Sequence, residues 1–150
     1  MRDSFLIGKS SLLAILFAVL LPLEVYAAEK VKSIRVWKAP EYTRVVLDLT
    51  GAVDHQVFML KSPDRLVLDL TNTVSPKSLS SLDFSGSPVS GIRHAKRESS
   101  GVRFVLDMRE AVKPKSFLLK PNDRYGDRLV VDIYPLSKSV KKSDKVHSAK

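Results

Sequence analysis

A chain of 150 residues with 44% hydrophobic side chains is long enough for one domain with its own apolar core and little more. It contains no cysteine, which excludes disulfide staples, thiolate metal sites, cysteine nucleophiles and anchoring through a lipid-bearing N-terminal Cys. A formal net charge of +9 points to anionic surfaces and polymers as partners without choosing among them.

The chain opens on "MRDSFLIGKS", which carries Arg2 and Lys9, and continues into the apolar run "LLAILFAVLLPL" at 12–23. About a dozen apolar residues fall short of the ~20 that span a bilayer. Val25 and Ala27 fit the third and first positions before a signal-peptidase cut. These features predict a secretory signal peptide over 1–27, cleaved after Ala27, with no membrane span in the mature chain. The removed stretch holds two bases and two acids, so the charge balance survives processing.

Strand signals follow in order. "SIRVW" (33–37) alternates. "TRVVLDL" (43–49) places Thr43, Val45, Leu47 and Leu49 on one face and Arg44, Val46 and Asp48 on the other. "QVFML" (56–60) reads as a third strand with Phe58 and Leu60 inward. "RLVLDL" (65–70) sets Leu66, Leu68 and Leu70 against Val67 and Asp69. A Ser/Pro-rich link over 75–88 leaves room for one helical turn at most. The second half repeats the pattern, with Val102, Phe104, Leu106 and Met108 inward, then Phe117 and Leu119, then Leu129, Val131 and Ile133. Period-2 alternation between Pro-, Gly- and Asp-rich gaps is the mark of half-buried strands. The final stretch, "SKSVKKSDKVHSAK" (137–150), holds five Lys and one Asp among many Ser, and its composition predicts a disordered basic tail or linker.

The two halves are copies. Residues 31–73 align with 89–135: Ile34-Arg35 with Ile92-Arg93, "RVVLDL" from Arg44 with "RFVLDM" from Arg103, "FMLK" from Phe58 with "FLLK" from Phe117, and "DRLV" from Asp64 with "DRLV" from Asp127. A sustained repeat of this kind organises the whole fold. The expected domain, residues 28–136, is all-β: a sandwich of two similar, roughly four-stranded sheets arising from internal duplication, apolar faces inward.

Asp48, Asp69, Asp107 and Asp132 recur at equivalent positions on the faces opposite the apolar rows. They are expected to look to solvent and to pair across strands with arginines such as Arg44 and Arg103. Four equivalent outward positions do not supply the unlike environments of a catalytic carboxylate pair, and no calcium-loop spacing surrounds them. Of three histidines, His147 lies in the tail, and His55 and His94 sit on loops or strand edges of different repeats, without zinc-site spacing. There is no nucleophile elbow and no phosphate loop. We therefore expect no catalytic residues, no metal and no cofactor in this chain.

The run of "IRVW", "TRVVLDL", "VFML", "DRLVLDLTNT", "SGIR", "VRFVLDM", "FLL" and "RLVVDIYP" over about 31–135 resembles the AMIN domain. In that family the domain precedes the catalytic part of periplasmic N-acetylmuramoyl-L-alanine amidases and also occurs in type IV pilus secretins. The resemblance implies a symmetric sandwich of two four-stranded sheets in the periplasm. It also implies peptidoglycan binding that brings an attached hydrolase or secretin to the wall, often at the division septum. The pattern departs from the amidases after Pro135, where they continue into a zinc domain. The chain is thus either a piece of a longer protein or a stand-alone domain, and no hydrolase activity carries over.

Peptidoglycan offers carboxylates and the apolar faces of sugars. Arginine suits the first and an aromatic ring the second. Arg35 and Trp37 point outward together in "IRVWK"; Arg93 and Lys96 stand in the equivalent "IRHAK"; Arg44 and Arg103, with Arg97 near, add charge on the outer faces. Arg35, Trp37, Arg44, Arg93, Lys96 and Arg103 are therefore the candidate peptidoglycan-binding residues, forming a dispersed site with no deep pocket. A competing reading is a protein-interaction module of a secretin or pilus assembly that uses exposed strand edges. A third, an anionic-polymer or nucleic-acid binder, would show steep salt dependence. Few outward aromatics are available for stacking on bases, so nucleic acid is not an expected partner.

Overall fold

The computed structural model describes residues 27–77, 79, 82–97 and 100–136. The expected signal peptide, Ala27 apart, and the basic tail lie outside the described residues. Among the described residues nine strands form: β1 (Glu29–Lys38), β2 (Thr43–Leu49), β3 (His55–Leu60), β4 (Arg65–Thr71), β5 (Thr73–Val74), β6 (Val89–Lys96), β7 (Gly101–Met108), β8 (Val112–Leu119) and β9 (Arg128–Pro135). They build two sheets. The first runs β5-β1-β2-β9-β8 and the second β3-β4-β7-β6. The fifth strand of the first sheet is the two-residue β5, parallel to the start of β1.

Neither sheet belongs to one repeat. The first repeat sends its β1–β2 hairpin to the first sheet and β3–β4 to the second; the second repeat sends β6–β7 to the second and β8–β9 to the first. The central pairs, β2 with β9 and β4 with β7, therefore join the two repeats in both layers. The duplication exchanges the sheets, which is the symmetry of two interlocked copies.

The core follows the period-2 rows. Val45, Leu47, Leu49, Leu66, Leu68, Leu70, Val102, Phe104, Leu106, Leu129, Val131 and Ile133 are all buried between the layers. The link over 75–88 supplies Phe84 to the same core, with Leu79 and Leu82 packed against it. It is held there by Arg109, whose Nη1 donates to the carbonyl oxygens of Phe84, Ser87 and Val89. Gly101 opens β7 at φ 153°, where a Cβ would lie 2.2 Å from the carbonyl oxygen of Leu70. No larger residue fits that position.

Two expectations change. Phe58 and Leu60 do not point inward. They pair with Val67 and Arg65 on the outer face of the second sheet, and the core residues of β3 are Val57 and Met59. Phe117 and Leu119 likewise pair with Val130 and Arg128 on the outer face of the first sheet. The reason is that "VFML" and "FLL" are uniformly apolar, so the residues themselves carry no parity; pairing with β4 and β9 sets it. The aspartates also depart in part. All four lie on outer faces, but Asp69 and Asp132, on the central strands, are buried rather than solvated.

Candidate functional site

The outer faces are organised by four arginine–aspartate pairs. On the first sheet, Arg44 Nε and Nη2 donate to Asp132 Oδ1 and Oδ2 at 2.6 and 2.8 Å. Arg35 donates to Asp48 through Nε and Nη2 at 2.8 and 2.7 Å, and the Ser33 hydroxyl adds a third bond to that carboxylate. On the second sheet, Arg103 donates to Asp69 at 2.6 and 2.7 Å, and Arg93 reaches Asp107 at 3.4 and 3.1 Å. The duplication relates the two sets pair by pair. Two-pronged guanidinium–carboxylate contacts are the strong form of this interaction.

Titration behaviour follows from the geometry. Hydrogen bonds to Asp132 and Asp69 raise the Arg44 and Arg103 guanidiniums above their ordinary value, against the opposing effect of burial. The Arg103 hydrogen bond holds the Asp69 carboxyl below the usual carboxylate range, outweighing burial. At Asp48 burial pushes upward, and the hydrogen bonds from Arg35 and Ser33 overcome it, so the net direction is down. All four carboxylates are spoken for by guanidiniums. They lie two on each outer face, so the quartet does not converge.

The six sequence-derived candidates fall into separate groups. Arg35, Trp37 and Arg44 lie on the outer face of the first sheet, and Arg93 and Arg103 on that of the second, on the opposite side of the sandwich. Lys96 pairs with Val102, an inward row, and lines an open cavity of about 330 Å³ with Asn72, Thr73, Val74 and Gly101. Each of the four arginines is engaged by an aspartate. His55, on edge strand β3, meets the Ser116 hydroxyl at 3.3 Å, and the His94 ring, on the opposite edge strand β6, lies 5.7 Å from that of Phe104.

Around Arg44 the first sheet joins Trp37 to Tyr42 and Tyr134, two rings that the sequence pattern did not single out. The Trp37 and Tyr42 rings meet edge to face at 5.8 Å, and Tyr42 meets Tyr134 at 5.2 Å. The Arg44 guanidinium lies over both Tyr42 and Phe117. Farther along the same face, Arg35 and Arg128 both lie over Tyr125. Trp37 stays 56% exposed despite this setting. The strand register puts Trp37, Arg44, Asp132 and Lys115 in one row across four strands, and Lys113 beside Tyr134 in the next. The usable signal was period-2 parity: Tyr42 and Tyr134 stand two residues from Arg44 and Asp132 and so share their face.

This arrangement can do three things chemically. The exposed Trp37 indole and the half-buried Tyr42 and Tyr134 phenols offer flat apolar surface with hydroxyl groups at hand. The paired arginines keep the face rigid and locally neutral. Among the described residues Lys113 and Lys115 form no ion pair, and both add positive charge at one margin. Among the described residues no group of three histidines and carboxylates stands close enough to hold a metal ion.

The family model of the AMIN domain matches residues 33–133, two-thirds of the chain and nearly the whole sandwich. The chain belongs to the AMIN domain family. Among characterised relatives, an N-acetylmuramoyl-L-alanine amidase AmiC from Neisseria meningitidis is 33% identical over 109 residues, covering 67% of this chain and 25% of the relative. The Escherichia coli amidase AmiC is 30% identical over 113 residues, 73% of this chain and 27% of the relative. The chain thus spans about a quarter of the length of the amidases it matches. The similarity reaches the AMIN sandwich, and the paired "RVVLDL" and "RFVLDM" strands that carry the Arg–Asp ladder lie inside the matched region.

Proposed function

We propose that this AMIN domain is a non-catalytic peptidoglycan-binding module of the periplasm that localises an attached or partner cell-wall hydrolase. The observation that carries the reading is the outer face of the first sheet. It presents ring surface, ordered hydrogen-bonding groups and marginal lysines on a rigid scaffold, which suits a polymer of sugars bearing acidic peptides. Membership of the family and similarity to two amidases of the wall amide bond support the same partner. Septal placement and export by cleavage after Ala27 belong to this proposal. Arg35, Arg44, Arg93 and Arg103 serve chiefly as scaffold, each held by its aspartate, with their outward N–H groups available to ligand.

The experiment is co-sedimentation of the chain, produced without residues 1–27, with purified protein-free sacculi. The expected result is saturable pelleting that declines gently with salt. The stepwise loss of several decades typical of a polyelectrolyte contact is not expected. A chain that stays in the supernatant overturns the reading. The exposed Leu60, Leu118 and Leu119 on edge strands β3 and β8 favour the second reading, a protein-interaction module of a secretin or pilus assembly. That reading requires capture of an envelope protein that survives digestion of the wall.

A further inference from the structure

The duplication gives this fold an internal control. Whatever the sandwich itself requires should appear on both outer faces, and whatever appears on one face alone serves something else. The Arg–Asp pairs pass this test as scaffold, since Arg44–Asp132 and Arg103–Asp69 are equivalent and both present. So do Phe117 and Phe58, each beneath its arginine.

The aromatic and basic residues around Arg44 do not pass it. Trp37 pairs with Arg44, and the residue paired with Arg103 is Ala95. Tyr42, two residues before Arg44, corresponds to Gly101, where no side chain fits. Tyr134, two after Asp132, corresponds to Thr71. Lys115, opposite Asp132, corresponds to Gln56 opposite Asp69, and Lys113 to Asp54. Five positions on one face carry rings or positive charge, and their five counterparts carry small, neutral or acidic residues.

From this we infer that the wall ligand is held by the first sheet alone, a hexosamine ring lying against Trp37 and Tyr42 and its acidic substituents turned toward Lys113 and Lys115. The inference rests on the wall-binding proposal and sharpens it to one face and one orientation. A sugar ring is apolar across its C–H faces and polar at its rim, and Trp and Tyr offer the complementary mixture. Arg44 and Arg35 are already neutralised by Asp132 and Asp48, so the centre of the face favours a neutral polar group over a free carboxylate. Lys115 lies about three strand spacings from Trp37, roughly 14 Å, which is the scale of a short saccharide. Trp37 lies on the part of β1 beyond its short pairing with β5 and is exposed yet packed against Tyr42, so little side-chain freedom is left to lose on binding.

The test uses the single tryptophan of the chain as its reporter. Titration with a neutral N-acetylglucosamine tetramer, and with soluble disaccharide–peptide wall fragments, is expected to shift Trp37 emission saturably. Trp37→Ala, an exposed position, should weaken binding to sacculi about tenfold, the scale of a hot-spot aromatic, with the thermal transition unchanged. Gln56→Ala on the second sheet should leave binding within about twofold. The double change Lys113→Glu and Lys115→Glu should weaken the fragments and leave the tetramer within about twofold. If sacculi still pellet the Trp37→Ala chain as well as the unaltered one, the one-face assignment is wrong and wall binding stands. A silent tetramer with responsive fragments overturns the sugar-ring contact. Failure of the unaltered chain to pellet removes the wall-binding proposal itself, and this inference with it.

Discussion

Phe104→Ala is expected to lower the unfolding free energy by about 3–5 kcal/mol, the usual cost of emptying a fully buried aromatic site. Phe104 is 0% exposed and heads the fully buried side chains by volume. It stands on β7 between Leu68 of β4 and His94 of β6, in the row that faces the other sheet. The duplication places Val45 at the equivalent site of the first repeat, so the two layers of the core are not copies in volume. One large ring fills the middle of a space whose other half is lined by smaller residues. Nothing rigid in that position can collapse to refill it, because β4 and β7 are the central pair of the second sheet. Phe104→Val, which copies the first repeat, removes less volume and should cost less. Denaturant unfolding measures both, and a loss below about 1 kcal/mol for the alanine variant would show that Phe104 is not the keystone of the packing. Against a typical total of about 5–15 kcal/mol, the expected loss brings the domain near its threshold.

Arg44→Ala is expected to cost about 3 kcal/mol, because it strands the Asp132 carboxylate without a partner. The Asp132 side chain is 5% exposed, and among the described residues no second cation lies within ion-pair distance of it. Arg103→Ala should cost less, although its pair is equivalent, because Arg97 stands 3.7 Å from Asp69 and takes over part of the role. Arg93→Ala, at the most exposed of the four pairs, should cost under about 1 kcal/mol. Removing both Arg44 and Asp132 should recover much of the single loss, since no buried charge is then left unpaired. A double-mutant cycle in denaturant reads the coupling directly. Equal small losses for Arg44→Ala, Arg103→Ala and Arg93→Ala would mean that the pairs are surface decoration rather than scaffold.

Much of this architecture was legible because each of β2, β4, β7 and β9 sets an aspartate on the row opposite its apolar one, and each inward residue named from them is buried in or packed against the core. The repeat itself gave the equivalences between faces. Parity failed at β3 and β8, where apolar residues run consecutively and only the neighbouring strand decides which of them look outward. The exchange of hairpins between sheets was not legible, since nothing in the short β2–β3 connection states that the chain changes layer there. Phe84 was hidden in a link whose serines and prolines masked its one buried aromatic. At the outer faces, the alternation correctly turned Arg35, Trp37, Arg44, Arg93 and Arg103 outward. What it could not supply was how the partners meet: that Asp69 and Asp132 are covered, that Arg35 and Arg93 are engaged as Arg44 and Arg103 were expected to be, and that five of the candidates divide between opposite outer faces while Lys96 falls on an inward row. Tyr42 and Tyr134 come together only because β2 and β9, some ninety residues apart in the chain, are neighbours in the first sheet.

The most direct test of the account is a residue-by-residue NMR titration of the chain with soluble disaccharide–peptide wall fragments. The expected footprint is the outer face of the first sheet, with the largest shifts at the Trp37 indole N–H, the Arg44 Nε–H and the backbone of Tyr42 and Tyr134. Shifts confined to the edge strands β3 and β8, or no shifts at saturating fragment, would contradict it.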